Sequence, residues 1–200
     1  MKTRTVLDVS PLPESSFGSR TLTWWGTLAF MSLEGMGFAL AIGAYIYLRV
    51  FSTHWPLNSP PPDLWPGTIV TILLVISAIP NHFMATWARA YDMRKVRAGL
   101  TLMSLLGIAP LIVRAFEFWG MRLRWDTDAY GSIVWFLLGL HTTHLLTDVG
   151  DTVVLNVLMF TRHSANPRRF SDVSDNAFYW DFVVLSWLPI YFVLYWLPRL

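Results

Sequence analysis

The chain has 200 residues, 54% of them hydrophobic and 14% charged, and its 15 Lys and Arg nearly balance 13 Asp and Glu. Eleven Trp, thirteen Phe and a mean hydropathy of +0.44 describe a polytopic membrane protein, not a water-soluble domain. Without Cys there is neither a disulfide framework nor a thiolate metal site, and a net charge of +2 spread over short loops argues against a nucleic-acid partner.

The first 22 residues, MKTRTVLDVSPLPESSFGSRTL, are polar, carry two prolines and lack the apolar core of a signal peptide. They are expected to form an uncleaved soluble arm, with residues 23–200 as one bundle. A bilayer core of about 30 Å takes roughly 20 apolar residues in a helix. Five segments reach that length: residues 24–51, 67–88, 98–119, 132–160 and 178–197. In the first, Gly35, Ala39 and Gly43 form a small-residue face suited to a close helix neighbour. The first connection, STHWPLNSPPPDLWP, is too rich in proline to continue either helix. RAYDMRKVR is a tight basic turn, MRLRWDTDAYG a polar one and TRHSANPRRFSDVSDN a longer loop. The expected fold class is all-α, a polytopic membrane bundle of five transmembrane helices.

Lys2, Arg4, Arg20, Arg89, Arg94, Lys95, Arg97, Arg162, Arg168 and Arg169 fall on one side of such a bundle. Arg49, Arg122, Arg124 and Arg199 fall on the other. Ten against four puts the N-terminus in the cytoplasm and, with five spans, the C-terminus outside. Trp24, Trp25, Trp65, Trp87, Trp119, Trp180 and Trp196 lie near span ends, as an aromatic belt requires.

Polar residues inside apolar spans are the candidate functional residues. Glu34 lies about ten residues into the first span with no partner on its own helix. It must find a donor on another helix, reach water or stay protonated. Glu117, near the end of the third span, follows Arg114 by three positions and can pair with it on one helix face. That position near the interface lowers the cost of the pair. On the fourth span His141, His144, Asp148 and Asp151 share an arc of roughly 80° and face protein or a cavity. Three readings compete for this stripe. A metal site needs three or four converging ligands, but His54 and His163 lie in loops and His82 is the only other intramembrane histidine. A proton path would link Glu34 to the stripe through water. Interhelical hydrogen bonding, with contact to a lipid headgroup or a partner subunit, is the simplest of the three.

Four ordered motifs carry a family resemblance. YGSIVWFLLGLHTTH, residues 130–144, resembles the YGSTFF…TGFHGLH block of subunit III of haem–copper cytochrome c oxidases, with Tyr130, Gly131, Ser132, Gly139, His141 and His144 in register. LEGMGF, residues 33–38, is similar to the family's glutamate-plus-aromatic segment and places Glu34 at its intramembrane glutamate. LLGIAPLIVRAFEF, residues 105–118, resembles the stretch ending in EY and places Glu117 there. YWDFVVLSWLPIYFVLYW, residues 179–196, resembles the family's YWHFVDVVW…YWW ending. The likeness runs from about residue 24 to 197, in the shorter five-helix form. It departs at Asp181, where the family has His, at Val184, where it has Asp, and before Asp92, where paired histidines are missing. Thr142 and Thr143 replace small residues, and Asp148 and Asp151 are additional acids.

The resemblance implies a subunit that binds no haem or copper itself. Such a subunit packs beside the catalytic subunit I, stabilises it against turnover inactivation, sustains proton uptake and holds phospholipid along a route for O2, with other oxidase subunits as further partners. It also implies an integral protein of the bacterial inner membrane whose contacts are membrane lipids and oxidase subunits. Glu34 is then expected against His141 and His144. Asp181 is expected to replace the missing histidine as an acceptor, or else to cap the start of the last helix. The chain itself shows no haem-ligand set, no CxxCH, no nucleotide loop and no nucleophile with an evident base. The alternatives are the related accessory protein of nitric oxide reductases and a stand-alone transporter, although inverted repeats with interrupted helices are not evident.

Overall fold

A computed structural model describes residues 17–57 and 59–200. Five long helices dominate it: α1 (Leu22–Phe51), α2 (Leu64–Arg89), α3 (Met93–Gly120), α4 (Ala129–Phe160) and α5 (Arg168–Tyr191). After α5 the chain continues through a π-helical turn, Phe192–Trp196, and a final 3-10 turn, Leu197–Arg199. Residues 1–16 of the expected arm, with Lys2 and Arg4, lie outside the described residues; Gly18–Arg20 forms a 3-10 turn.

Three of the five, α1, α3 and α4, start where a short polar side chain takes up one of the first free backbone N–H groups. Thr21 Oγ1 accepts from Trp24 N–H at 3.1 Å, Asp92 from Lys95 N–H at 3.2 Å and Asp128 from Gly131 N–H at 2.7 Å. Lys95 also hydrogen-bonds the Asp92 carboxylate and holds it below the usual carboxylate range. Asp128 accepts from the Ser59 hydroxyl at 2.9 Å, which ties the proline-rich connection to the start of α4.

The all-α expectation holds, and four helices are long and apolar enough to cross a membrane: α1, α2, α3 and α5 with its extension. The expectation of a fifth is not met on apolarity. α4 is the longest helix, but His141, His144, Asp148 and Asp151 sit in its middle and lower its hydropathy. The last helix also starts ten residues before the expected 178. RRFSDVSDN, expected to be loop, is helical, and Asp181 therefore lies well inside α5 and cannot cap its start.

Ring contacts between Phe17 and Tyr91 (5.8 Å) and between Tyr91 and Phe170 (5.0 Å) gather the starts of α1 and α5 and the α2–α3 turn at one end. At the other end Trp55 Nε1 donates to the Tyr45 hydroxyl at 3.0 Å, and Arg199 donates to the Pro62 carbonyl at 2.6 Å. Successive helices thus alternate in direction, and α4 runs the full height of the bundle.

The two largest helix–helix contacts are those of α2 with α3 and with α5. Lipid tails are as apolar as leucine, so such contacts are held by close packing and interhelical hydrogen bonds, not by release of water. Trp180 Nε1 donates to Ser77 Oγ at 2.9 Å and Trp187 Nε1 to Thr71 Oγ1 at 2.8 Å, while Tyr191 and Thr68 share a hydroxyl contact at 2.7 Å. Close approach uses glycines other than the expected ones. A Cβ on Gly107 would meet Val149 at 2.7 Å and Trp180 at 3.0 Å. On the α1 face, Gly43 has nothing within 4 Å of a Cβ, Gly35 meets only the Phe182 ring at 3.6 Å, and Ala39 is exposed. The small-residue stripe is therefore not a tight helix seam. α1 buries only Phe38, Ala41 and Tyr45, all in its second half, while its first half leans on α5 through the Trp24–Phe178 stack and stands off α4.

Gly107→Ala is expected to destabilise the bundle by about 1–3 kcal/mol through overpacking against Val149 and Trp180. Gly139→Ala, with open space around it, should leave stability nearly unchanged. Thermal unfolding of the two purified variants in detergent checks the contrast.

Candidate functional site

The standing-off of α1 creates a cleft of about 760 Å³ between α1 and α4, backed by α5. Thr23, Thr27 and Glu34 of α1, His144 and Leu158 of α4 and Tyr179 of α5 are among the residues that line it. There Glu34 joins three helices. His144 Nε2 lies 2.9 Å from Glu34 Oε1, and the Tyr179 hydroxyl donates to Oε2 at 2.7 Å. His144 Nδ1 is 2.6 Å from the Leu140 carbonyl, which can only accept, so that nitrogen carries a hydrogen. The contact between Glu34 and His144 then requires one further proton, on Nε2 or on Oε1. Either placement satisfies every hydrogen bond of the junction.

His141, one turn away, is fully buried and does a different job. Its Nε2 donates to the Val183 carbonyl at 3.1 Å, binding α4 to α5, and its ring lies 4.8 Å from Trp187. Of the two histidines expected near Glu34, only His144 reaches it; Phe38 comes between the helices, 4.8 Å from the His144 ring and 6.2 Å from His141. Asp148 accepts from Asn176 Nδ2 at 3.0 Å, and Thr152 donates to Asn176 Oδ1 at 3.1 Å. Asp151 lines the cleft and is exposed.

Two expected residues lie elsewhere. Asp181 faces α2, where Asn81 Nδ2 donates to it at 2.7 Å and also to the Ala177 carbonyl at 2.8 Å. It is an acceptor, as expected, but not part of the cleft. Glu117 is sealed among α3 and the end of α5. It pairs with Arg114 and accepts from the Tyr195 hydroxyl, while the guanidinium lies 4.4 Å above the Trp187 ring. The side chains of Arg114 and Glu117 are 1% and 4% exposed, so the pair is buried, and it lies close to the end of α3, where Glu117 lines a small cavity with the α1–α2 connection.

Asp172, Asp175, Asn176 and Tyr179 on α5 also line the cleft and were not among the expected site residues. Their spacing, i, i+3, i+4 and i+7, is a polar stripe of the same period as that on α4. It is visible in the sequence once α5 is started at Arg168. Among the described residues no three His, Asp or Glu side chains converge as a metal site would require.

A family model described as cytochrome c oxidase subunit III matches residues 66–199. The chain is 24% identical over 176 residues to cytochrome c oxidase subunit 3 of Thermostichus vulcanus, covering 87% of each chain. It is 26% identical over 178 residues to that of Corynebacterium diphtheriae, covering 85% of each. With the subunit 3 of Locusta migratoria it shares 27% over 184 residues, 86% of this chain and 68% of the relative.

The two carboxylates should differ in what their loss costs. Removing Glu117 by Glu117→Ala leaves Arg114 charged and sealed, an expected loss of about 3–5 kcal/mol. Glu34 sits at an open cleft, so a double-mutant cycle between Glu34→Ala and His144→Ala should give a coupling of about 1–2 kcal/mol. Unfolding of the four Glu34/His144 cycle proteins and of Glu117→Ala reads both values.

Proposed function

This chain belongs to the cytochrome c oxidase subunit III family, and we propose that it acts as a non-catalytic membrane subunit of a haem–copper terminal oxidase. It is an integral membrane protein. In this proposal all five helices cross the bacterial inner membrane, α4 included, with the N-terminus in the cytoplasm. α4 crosses because its polar side chains turn toward α1 and α5, away from lipid. The alternating helix directions support five crossings, and the ten-to-four division of Lys and Arg supports the orientation.

The subunit itself holds neither haem nor copper; those belong to its partners, the catalytic subunit I first among them. Its contribution is mechanical and environmental. The observation that carries this reading is the junction of Glu34 with His144 and Tyr179, which pins α1 at mid-height and leaves the cleft above it open. A cleft that combines the apolar side chains Phe30, Val154, Leu155 and Leu158 with the Glu34–His144 pair and other polar groups suits retained phospholipid beside the catalytic subunit. It also suits support of proton uptake and of O2 access there.

Purification through a tag on this chain should bring down a larger protein with a haem spectrum and O2 consumption. Reduction of NO in place of O2 would move the chain to the reductase complex, and isolation as a lone haem-free protein would sink the proposal. Within the complex, Glu34→Ala or His144→Ala should cut the number of turnovers before inactivation several-fold. An unchanged turnover lifetime would remove the stabilising role.

A further inference from the structure

Asp181 has only half of its carboxylate satisfied. Asn81 Nδ2 donates to Oδ1 at 2.7 Å, and among the described residues no donor is bonded to Oδ2. The side chain is exposed on the outside of the α2–α5 seam and does not line the cleft. His82, next to Asn81 on α2, is exposed beside it, close enough for its charge to act on Asp181 without being bonded to it. Of the carboxylates on the five long helices, only Asp151 is also exposed, and it lines the cleft. Asn81 stands about 7 Å from the midpoint of α2, so the acid it holds lies inside a hydrocarbon core of roughly 15 Å half-thickness. Lys and Arg reach the headgroups from such a depth on long stems, but an aspartate has a single methylene. In hydrocarbon this group faces a medium that offers neither charge nor donor.

We infer that this face seats a transmembrane helix of another chain of the complex, which brings a basic side chain to Asp181 and His82. An ionised carboxylate can only accept, so its free oxygen calls for N–H donors, and at low dielectric it calls for positive charge as well. A guanidinium answers both, with one N–H on Asp181 Oδ2 and another on the unprotonated ring nitrogen of His82. His82 turned onto Asp181 would not suffice, since the pair would still stand open to hydrocarbon until a neighbour covered it. The surroundings fit a helix in length and direction. Ile79 and Val75 precede His82 by three and seven residues, and Leu185 and Leu188 follow Asp181 by four and seven; all four are exposed. Because α2 and α5 run in opposite directions, both apolar stripes lead away from the acid toward the same end of the bundle. An apolar helix lying along them would hold its basic residue at the level of Asp181 and pack through the turns beyond it.

The inference rests on the reading of the chain as a subunit of an oxidase complex, and two measurements test it. In the first, the photo-crosslinking amino acid benzoylphenylalanine replaces Leu185, which leaves Asp181 intact. The complex is purified with its haem protein and illuminated, and the attached peptide is identified by mass spectrometry. It should be a membrane-spanning segment of a different polypeptide, with Arg or Lys within about two turns of the attachment point. An adduct with a second copy of this chain, with lipid alone, or with a segment lacking a basic residue overturns the inference and leaves the subunit reading standing. If the unmodified chain brings down no haem protein, both fall. In the second, Asp181→Leu is compared with the unmodified chain. Retention of the chain by the complex through graded detergent washing should fall several-fold, because the partner's cation loses its acid. The isolated full-length variant should melt no lower than the unmodified chain, since Leu suits an exposed position in a span. Unchanged retention overturns the inference. So does a loss matched by a lower melting temperature of the isolated chain, which would make Asp181 an internal anchor for Asn81.

Discussion

Glu34 meets His144 of α4 and Tyr179 of α5 at one point, and the placement of α1 depends on that meeting. A carboxylate buried in a membrane bundle without partners is expensive, so its contacts define where the helix that carries it must sit. Apart from Arg49 in the last turn, Glu34 is the charged residue of α1. Below it, Phe38, Ala41 and Tyr45 pack into the bundle. Above it, α1 leans on α5 through the Trp24–Phe178 stack at 5.5 Å and leaves α4 free. The cleft follows from a helix pinned at mid-height and supported on one side only.

The other helices solve the same problem by closure. The α2–α5 seam is stitched by Ser77, Thr71 and Thr68 to Trp180, Trp187 and Tyr191, each contact satisfying a polar tip on a large ring. Arg114 and Glu117 are buried with Tyr195 and Trp187. The molecule therefore keeps a sealed polar cluster and an open one at different heights. The open one gathers Asp148, Asp151, Asp172 and Asp175 around the cleft.

Much of this was legible in the residues. Apolar runs of sufficient length marked the helices, and proline-rich or polar stretches marked most of their connections. The i, i+3, i+7 spacing of His141, His144 and Asp148 placed them on an inward face. The motifs around Glu34, Glu117 and His144 pointed to the family that the comparisons show. The start of α5 was not legible, because RRFSDVSDN is polar and hydropathy reads a polar stretch as loop. It is helical because its Asp172, Asp175 and Asn176 face a cleft while Phe170, Val173 and Ala177 face the core. With that start went the second polar stripe and the true setting of Asp181.

The sequence alone determined the number and order of the long helices, the polar residues that had to face inward and the family of the chain. Those properties are local, written in spacing along one helix or in short motifs. Which polar residues meet was decided by tertiary structure. His144 and not His141 reaches Glu34, Asp181 answers Asn81 on α2, the glycine stripe of α1 stays open, and four acids gather from two helices. Such pairings depend on how helices rotate and tilt against one another, and that is set by the summed packing of Trp180, Trp187, Tyr195 and their neighbours, which no single segment encodes.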